Sequence, residues 1–217
     1  MADQKITEFN EETLPTQDDI FILVDSPAAG AVTKKVTLAT LKKILFGVQN
    51  QSVAAQGPGF SSDTYLVGSA IAIPNGALKA GTRYHCVFNV TKTAAGVATP
   101  IINIRIGTAG STADASRGTL TFTAQTAVAD EGLFELWATF RTVGSGTSAV
   151  LQTLVIRPHR LSVTGLGGAN AVSEPEIATS GGFDSTVANS IIGVSVNGGA
   201  SAAWTVQLVQ AELTNLG

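Results

Sequence analysis

Past residue 60 the chain alternates between apolar and polar positions with a period of two. Phe134, Leu136, Ala138 and Phe140 interleave with Glu135, Trp137 and Thr139, which turns one face of a strand inward and the other outward. The same alternation groups Tyr84, Cys86, Phe88 and Val90, then Ile102, Ile104 and Ile106, then Leu120 and Phe122. It returns at Val150, Leu154 and Ile156, at Ile192, Val194 and Val196, and at Trp204, Val206 and Leu208. With residues 65–73 added, eight strands are expected. Ile101, Val155 and Val209 fall on outward positions in this scheme. Residues 107–118, 144–148 and 165–182 are rich in Gly, Ser, Thr, Asn and Ala and read as loops, and no helical period of useful length follows residue 50. The predicted fold is mainly β, with residues 61–217 forming an eight-stranded antiparallel β-sandwich of the jelly-roll type, longer and richer in strands than an immunoglobulin-like sandwich.

The first 46 residues follow another pattern. The apolar run Ile20–Val24, a turn signal at residues 25–30 and the stretch Val32–Val36 predict a β-hairpin. A short helix follows: Thr37 suits its N-cap, Lys42 and Lys43 suit its negative end, and Gly47 suits the position after it. Leu38, Leu41, Leu45 and Val48 fall at spacings of three, four and three, a single apolar stripe. One hairpin and one helix make a marginal core, so residues 1–46 are expected to gain stability from a partner. Residues 47–60, polar and containing Gly and Pro, read as a linker between this segment and the sandwich.

Composition narrows the function classes. The chain has 217 residues, of which 13% are charged, with 13 Lys and Arg against 16 Asp and Glu. That balance gives no basic field for nucleic acid. No apolar stretch is long enough for membrane insertion, and the acidic, polar start carries no secretory signal. A single cysteine leaves no internal disulfide and no Cys-based zinc site. Residues 1–45 carry 12 charges, leaving 17 of the 29 for the other 172 positions. A β-domain so weakly charged is short of protection against self-association, so burial between sister copies is expected.

Candidate chemistry is sparse. His85 and Cys86 are neighbours on one strand and point to opposite faces, so they cannot form a nucleophile–base pair. His159 lies at a strand end, where a structural or interface role is expected. Glu174, Glu176 and Asp184 are loop acids without the spacing of a calcium loop, and no metal or cofactor is expected. The Gly clusters at 144–146 and 165–168 lack the residues of a phosphate loop, and no pair of carboxylates marks a glycosidase. No catalytic residue, and no enzyme, is expected. Trp137 lies on the face opposite Phe134 and Phe140, which makes it the candidate ligand contact of a receptor- or carbohydrate-binding module, the second reading of the domain.

The segment Lys5-Ile-Thr-Glu-Phe, Leu14-Pro-Thr-Gln-Asp-Asp-Ile-Phe-Ile-Leu-Val-Asp25, Val32-Thr-Lys-Lys-Val-Thr-Leu38 and Leu41 resembles the N-terminal anchor of many tailed-bacteriophage virion proteins, among them tail-fibre, collar, head-fibre and decoration proteins. The last strand, Trp204 to Glu212, is similar to those of trimeric jelly-roll domains on such particles. The resemblance implies a virion protein, assembled in the host bacterial cytoplasm, that docks through Phe21, Leu23, Leu38, Leu41 and Leu45 onto a portal, neck, capsid or tail component. It implies a homotrimeric β-domain, with a host-surface glycan or receptor as its outer partner. The short linker fits a short fibre, collar or decoration protein better than a long fibre.

Overall fold

The computed structural model describes residues 20–25, 32–38, 41, 47–161, 164–167 and 173–217. The chain divides into two compact units, Met1–Phe46 and Gly47–Gly217. In the first, β1 (Ile20–Asp25) pairs antiparallel with β2 (Val32–Thr37), Ile20 opposite Thr37 and Asp25 opposite Val32. Thr37 closes β2 and the backbone turns helical at Leu38 and again at Leu41, so Thr37 holds the expected N-cap position. Of the predicted turn over residues 25–30, Asp25 ends β1 and residues 26–30 lie outside the described residues.

The second unit is a sandwich of two antiparallel sheets. The strands are β3 (Val48–Ser52), β4 (Gln56–Gly59), β5 (Thr64–Tyr65), β6 (Ile71–Ala72), β7 (Arg83–Lys92), β8 (Ile101–Gly107), β9 (Ala115–Thr121), β10 (Asp130–Thr142), β11 (Val150–Pro158), β12 (Ser173–Thr179), β13 (Ile191–Asn197) and β14 (Trp204–Thr214). The larger sheet runs β12-β11-β10-β7-β14-β3, with β4 also on β14; the smaller runs β5-β13-β8-β9, with β6 also on β13. Taking β3/β4 and β5/β6 as one broken strand each, the chain crosses between sheets in the order of two Greek keys, which is a jelly roll. β11 and β12 are additions that widen the larger sheet.

All eight expected strands are present, and residues 65–73 supply two short ones, β5 and β6. Three more were hidden. Residues 47–60 are not a linker, because β3 and β4 both pair with β14. Residues 173–179 are a strand and not loop. Each of these three lies at a sheet edge, where polar side chains and the prolines Pro58 and Pro175 are tolerated because one row of backbone donors needs no partner.

Phe134 centres an aromatic cluster on the inner face of the larger sheet and reaches Phe122, the residue after β9 of the smaller one. Phe134 stacks on Phe88 with centroids 5.0 Å apart, meets Phe122 edge-on at 5.7 Å and tilts against Trp204 at 5.3 Å. The Trp204 indole N–H donates to Gln125 Oε1 at 2.7 Å, and the Gln125 amide donates to the carbonyls of Ala98 and Gly198, so this buried pair is satisfied. At Gly198 a Cβ would lie 2.6 Å from the indole, so only glycine lets that backbone approach. Lys92 is buried and spends its three ammonium protons on the carbonyls of Thr93, Thr126 and Val128 at 2.8–2.9 Å, fastening the loop after β9. Burial pulls its pKa down, against the opposing attraction of Asp130.

Two inward faces differ from expectation. On β11 the buried residues are Leu151, Thr153, Val155 and Arg157, while Val150, Leu154 and Ile156 lie on the outer face, half-buried. Both faces of this strand carry aliphatic groups, and the inward set includes an arginine, whose guanidinium lies 4.6 Å over the Phe122 ring. On β14 the pairing with β7 shifts between Val206 and Val209, a bulge that leaves Leu208 outward and turns Val209 inward.

Replacing Phe134 with Ala removes the ring shared by three aromatic contacts, and a loss of about 3–5 kcal/mol is expected by chemical denaturation. A change below about 1 kcal/mol would contradict its central place. Lys92→Met removes three hydrogen bonds to partly buried carbonyls and is expected to cost about 1–3 kcal/mol in the same measurement; an unchanged midpoint would contradict that role.

Candidate functional site

Because Tyr84, Cys86, Phe88 and Val90 point inward from β7, His85 and Val87 must point outward. The registers then set a row across the outer face of the larger sheet: Ile177 opposite Leu154, Leu154 opposite Trp137, Trp137 opposite His85, His85 opposite Glu212, and Glu212 opposite Gln49. The adjacent row on the same face reads Pro175, Ile156, Glu135, Val87, Gln210 and Gln51.

His85 sits at the middle of this grid. Its Nε2 lies 3.0 Å from Glu135 Oε1, its Nδ1 lies 3.4 Å from Glu212 Oε1, and its ring stacks on Trp137 at 5.4 Å with 15° between planes. One imidazole thus joins β10, β7 and β14. To one side the grid is apolar, with Leu154, Ile156 and Ile177, the last 69% exposed, and Leu133 nearby on β10, 37% exposed. To the other side it is a polar depression of about 340 Å³ walled by Gln49, Gln51, His85, Val87, Gln210 and Glu212.

The outer face of the smaller sheet is closed by its own side chains. Arg105 donates to Ser195 Oγ, to the carbonyl of Asp114 and to Asp63, and the Asn103 amide donates to Asp63 Oδ1. Ser116 and Thr119 donate to Asn103 Oδ1. Tyr65 lies over Gly193, where a Cβ would come within 2.0 Å of the phenol oxygen; burial pushes the phenol up to about 12. The two outer faces are therefore unequal, one self-covered and one open.

Elsewhere the titratable groups serve the fold. Cys86 is fully buried, and burial pushes its thiol up to about 12, which removes the thiolate a nucleophile needs. His159 Nδ1 meets Asp130 Oδ2 at 2.8 Å with both side chains fully buried. Asp130 also accepts from the backbone of Glu131, Leu161 and Leu166, so the pair pins the chain leaving β11 onto the start of β10. Asp184 accepts from the Thr186 hydroxyl and backbone, which hold its carboxyl below the usual range. Glu174 and Glu176 lie on β12 and not on a loop. Among the described residues no group of three or more His, Cys, Asp or Glu is arranged to hold a metal ion.

Trp137 is on the outer face as expected but half-buried, with one ring face against His85, so it does not offer the open platform that a sugar-stacking role requires. It borders the depression without lining it. Phe21 and Leu23 lie on β1, opposite Val36 and Lys34, and their side chains fall outside the described residues. Leu38 and Leu41 are half-buried in helical backbone, and Leu45 falls outside the described residues. Gln49 and Gln51 were missed because β3 reads as linker, and Gln210 because the bulge in β14 turns it outward against the phase of Trp204 and Val206. The first two had a signal, since Gln49 and Gln51 alternate with Asn50 in the spacing of one strand face.

No family model matches the sequence. No curated protein matches it either. Among solved structures, a chain from the infectious bursal disease virus Gx strain aligns with 93% of this chain at 11% identity and a TM-score of 0.20. The chain spans about half the length of that match, which covers 50% of it. A similarity this slight transfers neither fold nor role, and the jelly-roll assignment stands on the strand order above.

Proposed function

We propose that the chain is a non-enzymatic structural protein of a tailed-phage particle, of the short-fibre, collar or decoration kind. In this reading residues 1–46 attach it to a head, neck or tail component. Residues 47–217 are displayed and complete their surface by assembling with sister copies, three in number. The observation that carries the reading is the division of the chain at Phe46/Gly47. A hairpin unit too small for a substantial core of its own is followed at once by a jelly roll whose first strand begins at Val48, with no shaft between.

The open sheet face supports the assembly half of the reading. Leu133, Leu154, Ile156 and Ile177 lie together at one end of it, and each Å² of such surface covered by a sister copy contributes about 25 cal/mol. Weak docking by each hairpin unit is multiplied when three copies attach together.

Removal of residues 1–46 is expected to leave residues 47–217 folded and soluble while abolishing their co-purification with particles. Particles that take up the truncated chain as readily as the full chain would contradict the anchoring role.

A further inference from the structure

The chain holds two Asn-Gly pairs, Asn75-Gly76 and Asn197-Gly198, and the fold treats them oppositely. Pro74 to Ala77 form a turn closed by the Ala77 N–H on the Pro74 carbonyl at 3.0 Å, with Gly76 at φ +73°, the positive value that the third position of a type II turn requires. Asn75 and Gly76 are both exposed, a Cβ on Gly76 would meet nothing within 4 Å, and the Gly76 N–H makes no hydrogen bond among the described residues. The Asn75 side chain is held at one atom: its Oδ1 accepts the backbone N–H of Asn189 at 2.9 Å. That donor is fixed in place, because the Ile73 N–H donates to the Ser190 carbonyl at 2.8 Å and the Ser190 hydroxyl to the Val187 carbonyl at 2.7 Å. At the other pair, the Gly198 N–H is occupied by the Phe60 carbonyl at 2.7 Å and Gly198 lies against the Trp204 indole. Asn197 Oδ1 accepts the Gly199 N–H at 2.9 Å.

From this contrast we infer that Asn75 is a site of spontaneous deamidation, its side-chain amide becoming a carboxylate without an enzyme. The free Gly76 backbone nitrogen, deprotonated by hydroxide, attacks the Asn75 side-chain carbonyl carbon. A C–N bond forms to the backbone, the C–N bond to the side-chain amino group breaks, and that nitrogen leaves as ammonia with a proton from water. A second water then opens the cyclic imide at either carbonyl, giving aspartate or isoaspartate. Both reacting groups belong to adjacent residues, so the chain itself holds them together. Negative charge builds on Oδ1 as the nitrogen adds, and the Asn189 N–H already points at that oxygen. Glycine puts no Cβ in the path, and its backbone is the freest to turn toward the amide. The turn borders a depression of about 210 Å³ shared with Val143, Gly144 and Ser185, through which water reaches it. Aspartate keeps an acceptor for the Asn189 N–H and adds one negative charge to this end of the sandwich. Isoaspartate also inserts a methylene into the backbone and opens the turn. This inference rests on the two Asn-Gly pairs and not on the virion reading.

The test is incubation of the folded full chain in warm, mildly alkaline buffer made with water enriched in heavy oxygen, followed by peptide mass spectrometry. Asn75 is expected to convert and take up heavy oxygen at least about tenfold faster than Asn197. In the same chain unfolded by guanidinium chloride, the two pairs should convert at similar rates, because the contrast belongs to the fold and not to the dipeptide. Asn75→Gln should remove the acidic species that the parent builds up on ion exchange, since the longer side chain closes its ring far more slowly. Asn75 left intact in the folded chain, or Asn197 converting there at an equal rate, would overturn the inference. So would a contrast of the same size in the unfolded chain, which would take the selection away from the turn and the Asn189 N–H.

Discussion

The alternation of β7 and β10, and of β14 on either side of its bulge, is the constraint from which the rest follows. Phe88, Phe134 and Trp204 must face inward to build the aromatic cluster that meets Phe122, the residue after β9 of the smaller sheet. A period of two then leaves no choice about where their neighbours go. His85, Val87, Glu135 and Trp137 are turned outward by the same backbone that buries the core, and the bulge in β14 restores the phase that brings Gln210 and Glu212 onto that outer face. A slip of one residue would expose the core and bury the His85 cluster at once.

The two outer faces resolve the problem of a weakly charged sandwich differently. On the smaller sheet, Arg105, Asp63 and Asn103 fold over the backbone and satisfy one another, and Tyr65 covers Gly193 beside them. On the larger sheet, β11 and β12 extend the face beyond the jelly-roll core and add Leu154, Ile156 and Ile177, which none of the described residues covers fully. Edge strand β3 adds Gln49 and Gln51 at the far end. The result is a face divided by His85 into an apolar half and a polar half.

Much of this was legible in the sequence because buried strands announce themselves by alternation. Strands with a mainly apolar inner face were found, including β7, β8, β10 and β13. What escaped did so for physical reasons. β3, β4 and β12 are edge strands, whose polar residues and prolines look like loop. β11 carries aliphatic groups on both faces, and its inner face includes Arg157, which no hydropathy pattern places in a core. The β14 bulge inverts the phase between Val206 and Val209 without a marker in composition. The candidate site was legible only in part: Trp137 was placed on the right face, but its contact with His85 depends on a register between strands 52 residues apart.

The division of the open face makes a direct demand on the solution state. In the proposed assembly, sister copies would cover the apolar half led by Ile177 and Leu133, and several weakly docking hairpin units would act together. The decisive measurement is the mass of the intact chain at micromolar concentration by light scattering. A species of three times 22.2 kDa is expected; a stable 22.2 kDa monomer with its larger sheet fully open to solvent would contradict the division of that face.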